Sequence, residues 1–132
     1  MARILVIDDD RKLREVVRRA LERAGHTVFE ADDGRAGIQL YRGQGAELII
    51  TDIFMPERDG LETILQLRRE NPGVKIVAIS GGDQSGRLDL REHAEVLGAS
   101  RTLRKPFDKA ELVKIVRELL GEADPGNPTR ES

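Results

Sequence analysis

Short apolar runs alternate with amphipathic helical patterns five times along this chain. The apolar runs predict strands at 4–7, 27–31, 48–51, 74–79 and 101–103. The helical patterns predict five helices, at 13–24, 35–41, 60–70, 88–97 and 109–120. Strict alternation of strand and helix implies right-handed crossovers. It predicts an α/β fold in which helices cover both faces of a doubly wound, five-stranded parallel sheet.

Length and charge restrict the class of protein. The 132 residues are enough for one domain with a real core. The formal charge of −2 comes from 24 acidic and 22 basic residues, so no cationic field favours direct nucleic-acid binding. The absence of cysteine excludes disulfides and thiolate metal sites. No apolar run approaches the roughly 20 residues that span a bilayer, so we expect a cytoplasmic protein without a membrane partner.

The last segment of the sequence differs in composition from the rest. Residues 122–132 contain two prolines, one glycine and no apolar periodicity. We therefore expect a folded domain over 1–121, a disordered tail over 122–132 and no second domain.

Polar side chains follow four of the predicted strands. Asp8, Asp9 and Asp10 follow the first strand, and Asp52 follows the third. Ser80 and Lys105 follow the fourth and fifth strands. Because the carboxyl ends of parallel strands meet at one edge of a sheet, these groups are expected to lie close together. Carboxylates, a hydroxyl and an ammonium at one edge indicate a Mg²⁺-assisted phosphoryl site. Gly60, after Asp52, is expected to give the turn conformational freedom.

Transfer of a phosphoryl group to a carboxylate explains why this set of residues is needed. A divalent cation relieves the repulsion between the nucleophile and its anionic donor by bridging acidic side chains and phosphate oxygens. If the first and third strands are neighbours in the sheet, Asp8, Asp9 and Asp52 supply oxygen ligands of the kind that Mg²⁺ prefers. Lys105 would neutralise a second phosphate oxygen, and the Ser80 hydroxyl would donate to a third. The acyl phosphate would form on Asp52.

Each of these residues also has a purely structural interpretation. The acids from Asp8 to Asp10 favour the positive end of a helix dipole, although one of them suffices as a cap. Asp52 and Ser80 could be ordinary turn residues, and Lys105 an ordinary exposed lysine. Their occurrence together, each after a strand, favours the functional interpretation.

Other charged side chains are assigned no chemical role by the sequence. His26 and His93 have no metal-ligand spacing with each other or with the acids, so both are predicted to lie at the surface. Arg14, Arg18 and Arg19 are predicted to form a solvated helix face.

Five separated motifs resemble the receiver domain of two-component response regulators, including stand-alone, chemotaxis-regulator-like receivers. The resemblance covers about residues 3–120. The motifs are Ile4-Leu5-Val6-Ile7-Asp8-Asp9-Asp10, Asp52 with Met55-Pro56 and Asp59-Gly60, Ser80, Gly98-Ala99, and Lys105-Pro106-Phe107. The resemblance implies a flavodoxin-like sheet with strand order 2-1-3-4-5 and five helices.

The resemblance also implies a role for each site residue. Asp52 would be the phosphoacceptor, and Asp8 and Asp9 would hold Mg²⁺ together with Asp52 and the Phe54 carbonyl. Ser80 would be the switch hydroxyl. Lys105 would bind the phosphate, before a cis peptide at Pro106.

Two features depart from the usual receiver pattern. Thr102 stands where receivers usually carry an aromatic residue that turns inward on activation. The interval from Ser80 to Lys105 is also longer than usual, and the excess is assigned to the glycine-rich loop at 81–86. With no ring at position 102, the response to phosphorylation is expected to be local to this mobile loop and the start of the following helix.

These expectations define a single-domain response regulator that is not a classical enzyme. A histidine kinase or a histidine phosphotransfer protein would donate the phosphoryl group to Asp52, and an unknown downstream protein would read the result. The receiver would be a monomer or a weak dimer. An alternative is a pseudo-receiver that is never phosphorylated and serves only as a docking module. A phosphatase of the haloacid dehalogenase type would need Thr or Val where Lys12 stands.

Overall fold

A computed structural model describes residues 2–53, 60–80 and 98–121 of the chain. The described residues form one five-stranded parallel sheet of order β2-β1-β3-β4-β5, which confirms the predicted topology. The strands are β1 (Arg3–Ile7), β2 (Thr27–Ala31), β3 (Leu48–Asp52), β4 (Lys75–Ser80) and β5 (Arg101–Arg104). The described helices are α1 (Arg11–Arg23), α2 (Gly34–Gln44), α3 (Gly60–Glu70) and α4 (Lys109–Leu119).

Some predictions fall on residues outside the described ranges. They are the helix at 88–97, the glycine-rich loop at 81–86, the tail at 122–132, His93 and the Phe54 carbonyl. None of the described helices is long and apolar enough to cross a membrane.

Aspartate side chains cap the N-termini of three of the described helices. Asp10 accepts hydrogen bonds from the main-chain N–H groups of Lys12 and Leu13, at 3.0 and 3.2 Å. Asp33 and Asp108 cap α2 and α4 in the same way. These contacts satisfy N–H groups that have no partner within the helix. After α1, Gly25 adopts a φ of 99°, which favours glycine and turns the chain towards β2.

The apolar residues of the sheet alternate between two cores. One core joins the sheet to α2 and α3, and its members include Leu5, Ile7, Ile38, Ile49, Ile64, Leu67 and Ile76. The other joins the sheet to α1 and α4, and its members include Ile4, Val6, Val17, Leu21, Ile50, Ile79, Leu112 and Val116. Successive residues of a strand point to opposite faces, so an almost wholly apolar strand contributes to both cores. The two cores hold the carboxyl ends of the strands at a fixed edge.

Arg68 on α3 joins two loops next to β4 and β5. Its Nη1 donates to the Pro72 carbonyl at 2.7 Å, and its Nε donates to the Gly98 carbonyl at 3.1 Å. Gly98 has a φ of 126°, and a Cβ built there would lie 3.0 Å from Arg68 Cγ. These contacts fix the segment that leads into β5, the strand that delivers Lys105.

Two predictions about surface residues are wrong. His26 is buried, and its Nδ1 accepts a hydrogen bond from the Ala2 N–H at 3.2 Å. Arg14 and Arg18 do not form a solvated face, because both form ion pairs with Glu30 on β2. Glu30 faces α1 from an edge strand, where a carboxylate needs a cationic partner. Arg19 remains exposed, as predicted.

Candidate functional site

Asp52 is the last residue of β3, a strand that lies between β1 and β4. Its side chain is buried at the carboxyl edge of the sheet, with 4% of the residue exposed. Burial excludes most water from one side of the carboxylate and strengthens the effect of neighbouring charges.

The start of α3 lies directly against the end of β3. The Gly60 N–H donates to the Ile53 carbonyl at 2.9 Å. A Cβ built on Gly60 would lie 2.2 Å from the Asp52 carbonyl oxygen and 2.6 Å from Ile53 Cα. Gly60 is not among the glycines with positive φ. The expectation that it supplies turn freedom is therefore corrected, because close approach of two backbone segments is what requires glycine here.

Three carboxylates lie together at this edge. Asp8 follows β1, which pairs with β3 through Ile7 and Thr51. Asp8 is 2% exposed, whereas Asp9 is exposed to solvent. Asp8, Asp9 and Asp52 each offer one ligand atom, and these atoms all lie within 4.8 Å of one another. Carboxylate oxygens at this spacing fit a hard divalent cation such as Mg²⁺, which also keeps several waters.

Lys105, the residue after β5, faces two of these acids. Its Nζ lies 3.3 Å from Asp52 Oδ2 and 3.6 Å from Asp8 Oδ2. The Lys105 main-chain N–H donates to the Ser80 carbonyl at 2.9 Å, and the Lys105–Pro106 peptide is cis, as predicted. The strand pairing thus brings an ammonium group to the carboxylates from a residue 53 positions away from Asp52.

Burial and neighbouring charges shift the pKa values of the site in a consistent way. Burial raises the pKa of Asp8 to about 6, and the nearby Asp52 carboxylate adds to this against the opposing hydrogen bond from the Asp10 N–H. Burial alone would lower the pKa of Lys105, but the Asp52 and Asp8 carboxylates outweigh it and leave that pKa above its usual range. Lys105 therefore stays cationic, and Asp8 retains a proton more readily than a solvated aspartate.

Ser80 ends β4, one residue beyond Ile79, the pairing partner of Asp52. Its residue is 1% exposed, and its Oγ has no hydrogen-bond partner within the described part of the chain. A buried hydroxyl without a partner costs free energy, of about 1–3 kcal/mol by mutational measurements. A hydroxyl in that state, at the edge that holds Asp52, is suited to donate to an anionic group bound there.

A family model for the response regulator receiver domain matches residues 4–117. The chain belongs to the response regulator receiver domain family. This confirms the resemblance carried by the five motifs, and the receiver fold agrees with the observed strand order.

Two response regulators that are similar in sequence are longer than this receiver. It is 36% identical over 130 residues to the response regulator MprA of Mycolicibacterium vanbaalenii, and this match covers 98% of this chain and 55% of that protein. It is 41% identical over 128 residues to the DNA-binding transcriptional regulator NtrC of Azospirillum brasilense, and this match covers 94% of this chain and 25% of that protein. The chain therefore spans about half of the first relative and a quarter of the second.

Solved structures of single receivers match the fold over nearly their whole length. A response regulator receiver domain protein from Clostridium thermocellum has a TM-score of 0.83 at 26% identity, with 92% of this chain and 95% of that chain covered. The chemotaxis protein CheY4 of Vibrio cholerae has a TM-score of 0.79 at 26% identity, with 90% and 98% covered.

Thr102 lies on β5 of this receiver, paired with Ala78 of β4, and it is partly exposed. The position expected to carry an aromatic ring thus has a small side chain. The expected local response of the glycine-rich loop lies outside the described residues.

Sequence reasoning missed one contact to the acidic site. Arg14 Nη1 donates to the main-chain carbonyl of Asp8 at 2.6 Å, while its Nε donates to Glu30 at 3.0 Å. The available signal was Glu30, which in the predicted strand falls on the same face as Val28 and so points inwards. An inward-facing carboxylate needs a cationic partner, and an arginine on the helix that covers the strand can supply it.

Proposed function

We propose that this receiver accepts a phosphoryl group on Asp52 in a Mg²⁺-dependent reaction, from a histidine kinase or a histidine phosphotransfer protein. The observation that carries the proposal is the buried Asp52 carboxylate, which lies within 4.8 Å of two further acids and 3.3 Å from the Lys105 ammonium. The proposal is further supported by membership of the receiver family.

The donor set supports magnesium as the cation. Asp8, Asp9 and Asp52 would hold the ion, since their ligand atoms are close enough together to share one cation. When bound, Mg²⁺ neutralises phosphate oxygens as the donor approaches. Because Asp9 is exposed to solvent, a phosphoryl donor would reach the acids from the side of Asp9.

The protein side chains would perform the transfer itself. An Asp52 carboxylate oxygen forms the new bond to phosphorus, and the bond from phosphorus to the donor imidazole nitrogen breaks. The departing imidazole takes up a proton from solvent. Lys105, held 3.3 Å from the Asp52 oxygen, would pair with a phosphoryl oxygen once the group has arrived. The Ser80 hydroxyl, which has no hydrogen-bond partner among the described residues, would donate to another oxygen.

A small-molecule donor tests this function without a kinase. The full chain, incubated with acetyl phosphate and Mg²⁺, is expected to gain one phosphoryl group in an intact mass spectrum. Chelation of the metal is expected to remove the gain. A chain that never gains a phosphoryl group under these conditions would support the docking-module alternative instead.

The affinity for Mg²⁺ is expected to fall as the pH drops below about 6. The pKa of Asp8 is raised to about 6, so at lower pH a proton occupies a carboxylate that the metal needs. The expected loss is about tenfold for each pH unit below that value. Calorimetric Mg²⁺ titrations between about pH 5 and pH 8 measure it. An affinity that stays constant over this range would contradict the prediction.

The raised pKa of Asp8 also predicts how the stability of the metal-free fold depends on pH. A folded carboxyl whose pKa is raised from 3.8 to about 6 binds its proton more tightly than the unfolded chain does. Its contribution to stability is therefore largest at low pH and is lost as the pH rises through about 6. Asp8→Asn is the control, because it removes this pH dependence from the melting temperature.

The output of the receiver is proposed to pass through a protein partner. DNA binding is named for the longer NtrC relative, whereas this chain carries 24 acidic against 22 basic residues. A near-neutral chain does not favour direct contact with phosphates of nucleic acid.

A further inference from the structure

Arg14 links the acidic site to the edge strand β2. Its side chain is 14% exposed, and its two donor groups point to different elements. Nη1 donates to the Asp8 carbonyl at 2.6 Å, and Nε donates to Glu30 Oε1 at 3.0 Å. Arg18 also pairs with Glu30, through its other carboxylate oxygen, but within the described part of the chain its ion pairs are with Glu30 and Glu22 and not with Asp8. Arg14 thus differs from its neighbour by one contact to the site.

The main chain of Asp8 is held on both sides. Its N–H donates to the Ala31 carbonyl of β2 at 3.1 Å, and its carbonyl accepts from Arg14. Its side chain accepts from the Asp10 N–H at 2.9 Å. Since the peptide group is planar, fixing the Asp8 carbonyl also fixes the plane of the Asp8–Asp9 peptide. The Cα of Asp9 lies in that plane, so the position from which its side chain projects is restrained as well.

We propose that Arg14 is a positioning residue for the Mg²⁺ and phosphoryl site, acting through the Asp8 carbonyl and anchored by Glu30. The inference rests on the proposed function and adds a residue that orients the acids without touching the metal. Glu30 holds the Arg14 guanidinium in place through Nε, so the Nη1 group that donates to Asp8 is restrained. Loss of the Arg14 guanidinium would leave the exposed Asp9 free to adopt orientations that do not bind the metal.

Whether Mg²⁺ binding becomes weaker or tighter when Arg14 is removed separates a positioning role from a purely electrostatic one. Arg14 is a cation close to a site that binds a cation, so removing its charge alone would tighten Mg²⁺ binding. Loss of positioning would weaken binding instead. Changes in residues that orient metal ligands typically cost 10–100-fold in metal affinity, and one main-chain contact is expected at the lower end, about tenfold.

Calorimetric Mg²⁺ titration of the full chain tests the inference with Arg14→Gln and Arg18→Gln. Arg14 and Arg18 both lie on α1, and each variant removes one of the two guanidinium groups that pair with Glu30. Only Arg14→Gln also removes the hydrogen bond to the Asp8 carbonyl. Arg14→Gln is expected to bind Mg²⁺ about tenfold more weakly, and Arg18→Gln within about twofold of the parent. Labelling by acetyl phosphate in Arg14→Gln should recover at saturating Mg²⁺, because Asp52 and Lys105 are unchanged.

The outcomes distinguish a failure of the positioning role from a failure of the proposed function. Unchanged or tighter binding in Arg14→Gln, or equal weakening in both variants, would overturn the positioning role. If Arg14→Gln does not fold, Arg14→Lys replaces it, since one ammonium cannot span both acceptors; parental affinity in that variant would also overturn the role. A parent chain that binds no Mg²⁺ would instead refute the proposed function.

Discussion

Asp52→Asn is expected to lose labelling by acetyl phosphate, by a factor on the order of a thousand or more, while the fold remains intact. Asparagine is nearly isosteric with aspartate, but its amide does not form an acyl phosphate. The substitution also removes one of two neighbouring buried carboxylates, and Lys105 keeps Asp8 as a partner at 3.6 Å. The melting temperature is therefore expected to stay close to that of the parent. Intact mass spectrometry after incubation with acetyl phosphate and Mg²⁺ measures the loss.

Asp10→Asn is the matched control for this variant. Asp10 belongs to the same run of acids, but it is exposed and caps α1 through Lys12 and Leu13. Asparagine caps helices about as well as aspartate, so both stability and labelling should be retained. Full labelling of Asp52→Asn would place the acceptor on another residue. Equal loss in both variants would show that the acids act only through their total charge.

Gly60→Ala is expected to destabilise the fold by about 3 kcal/mol and to lower the melting temperature by roughly 10 °C. The added Cβ would lie 2.2 Å from the Asp52 carbonyl oxygen, and the other close atoms also belong to the backbone of Ile53. Backbone atoms at the end of a central strand move only if the strand and α3 separate. Because one of the displaced atoms belongs to Asp52, labelling should fall together with stability. Thermal unfolding and acetyl-phosphate labelling of the same sample measure both effects.

Gly43→Ala provides the comparison for Gly60→Ala. Gly43 lies on α2, is exposed, and has nothing within 4 Å of an added Cβ. Alanine is the better residue within a helix, so the fold should gain about 0.5–1 kcal/mol. A loss of stability in Gly60→Ala no larger than about 0.5 kcal/mol would show that the two backbone segments separate at little cost.

Much of the fold could be predicted because its signals are local. The apolar runs and helical periodicities located the strands and the described helices to within a few residues. Asp10 and Gly25 marked the ends of α1 through chemistry contained within a few residues of sequence. Asp8, Asp52 and Lys105 could be predicted to lie together because each follows a strand, and parallel strands end at one edge.

The remaining features depend on contacts between distant parts of the chain. Whether His26 is buried depends on its packing beside Ala2, 24 positions away. The helical pattern alone predicts that Arg14 and Arg18 are solvent-exposed, but β2 lies beside α1 and its Glu30 forms ion pairs with both. The need for glycine at position 60 follows from the approach of α3 to β3, which no local pattern encodes. Such contacts are specified by tertiary packing and are weakly visible in a single sequence.

The position of the acyl phosphate in the parent chain shows whether Asp52 is the phosphoacceptor. Phosphorylated protein can be reduced with borohydride, which converts an aspartyl phosphate to homoserine, and the altered residue can then be located by peptide mass spectrometry. We expect homoserine at position 52, formed only when Mg²⁺ is present during labelling. A phosphate that resists reduction on Ser80 or Thr51, or homoserine at position 8 or 9, would contradict it.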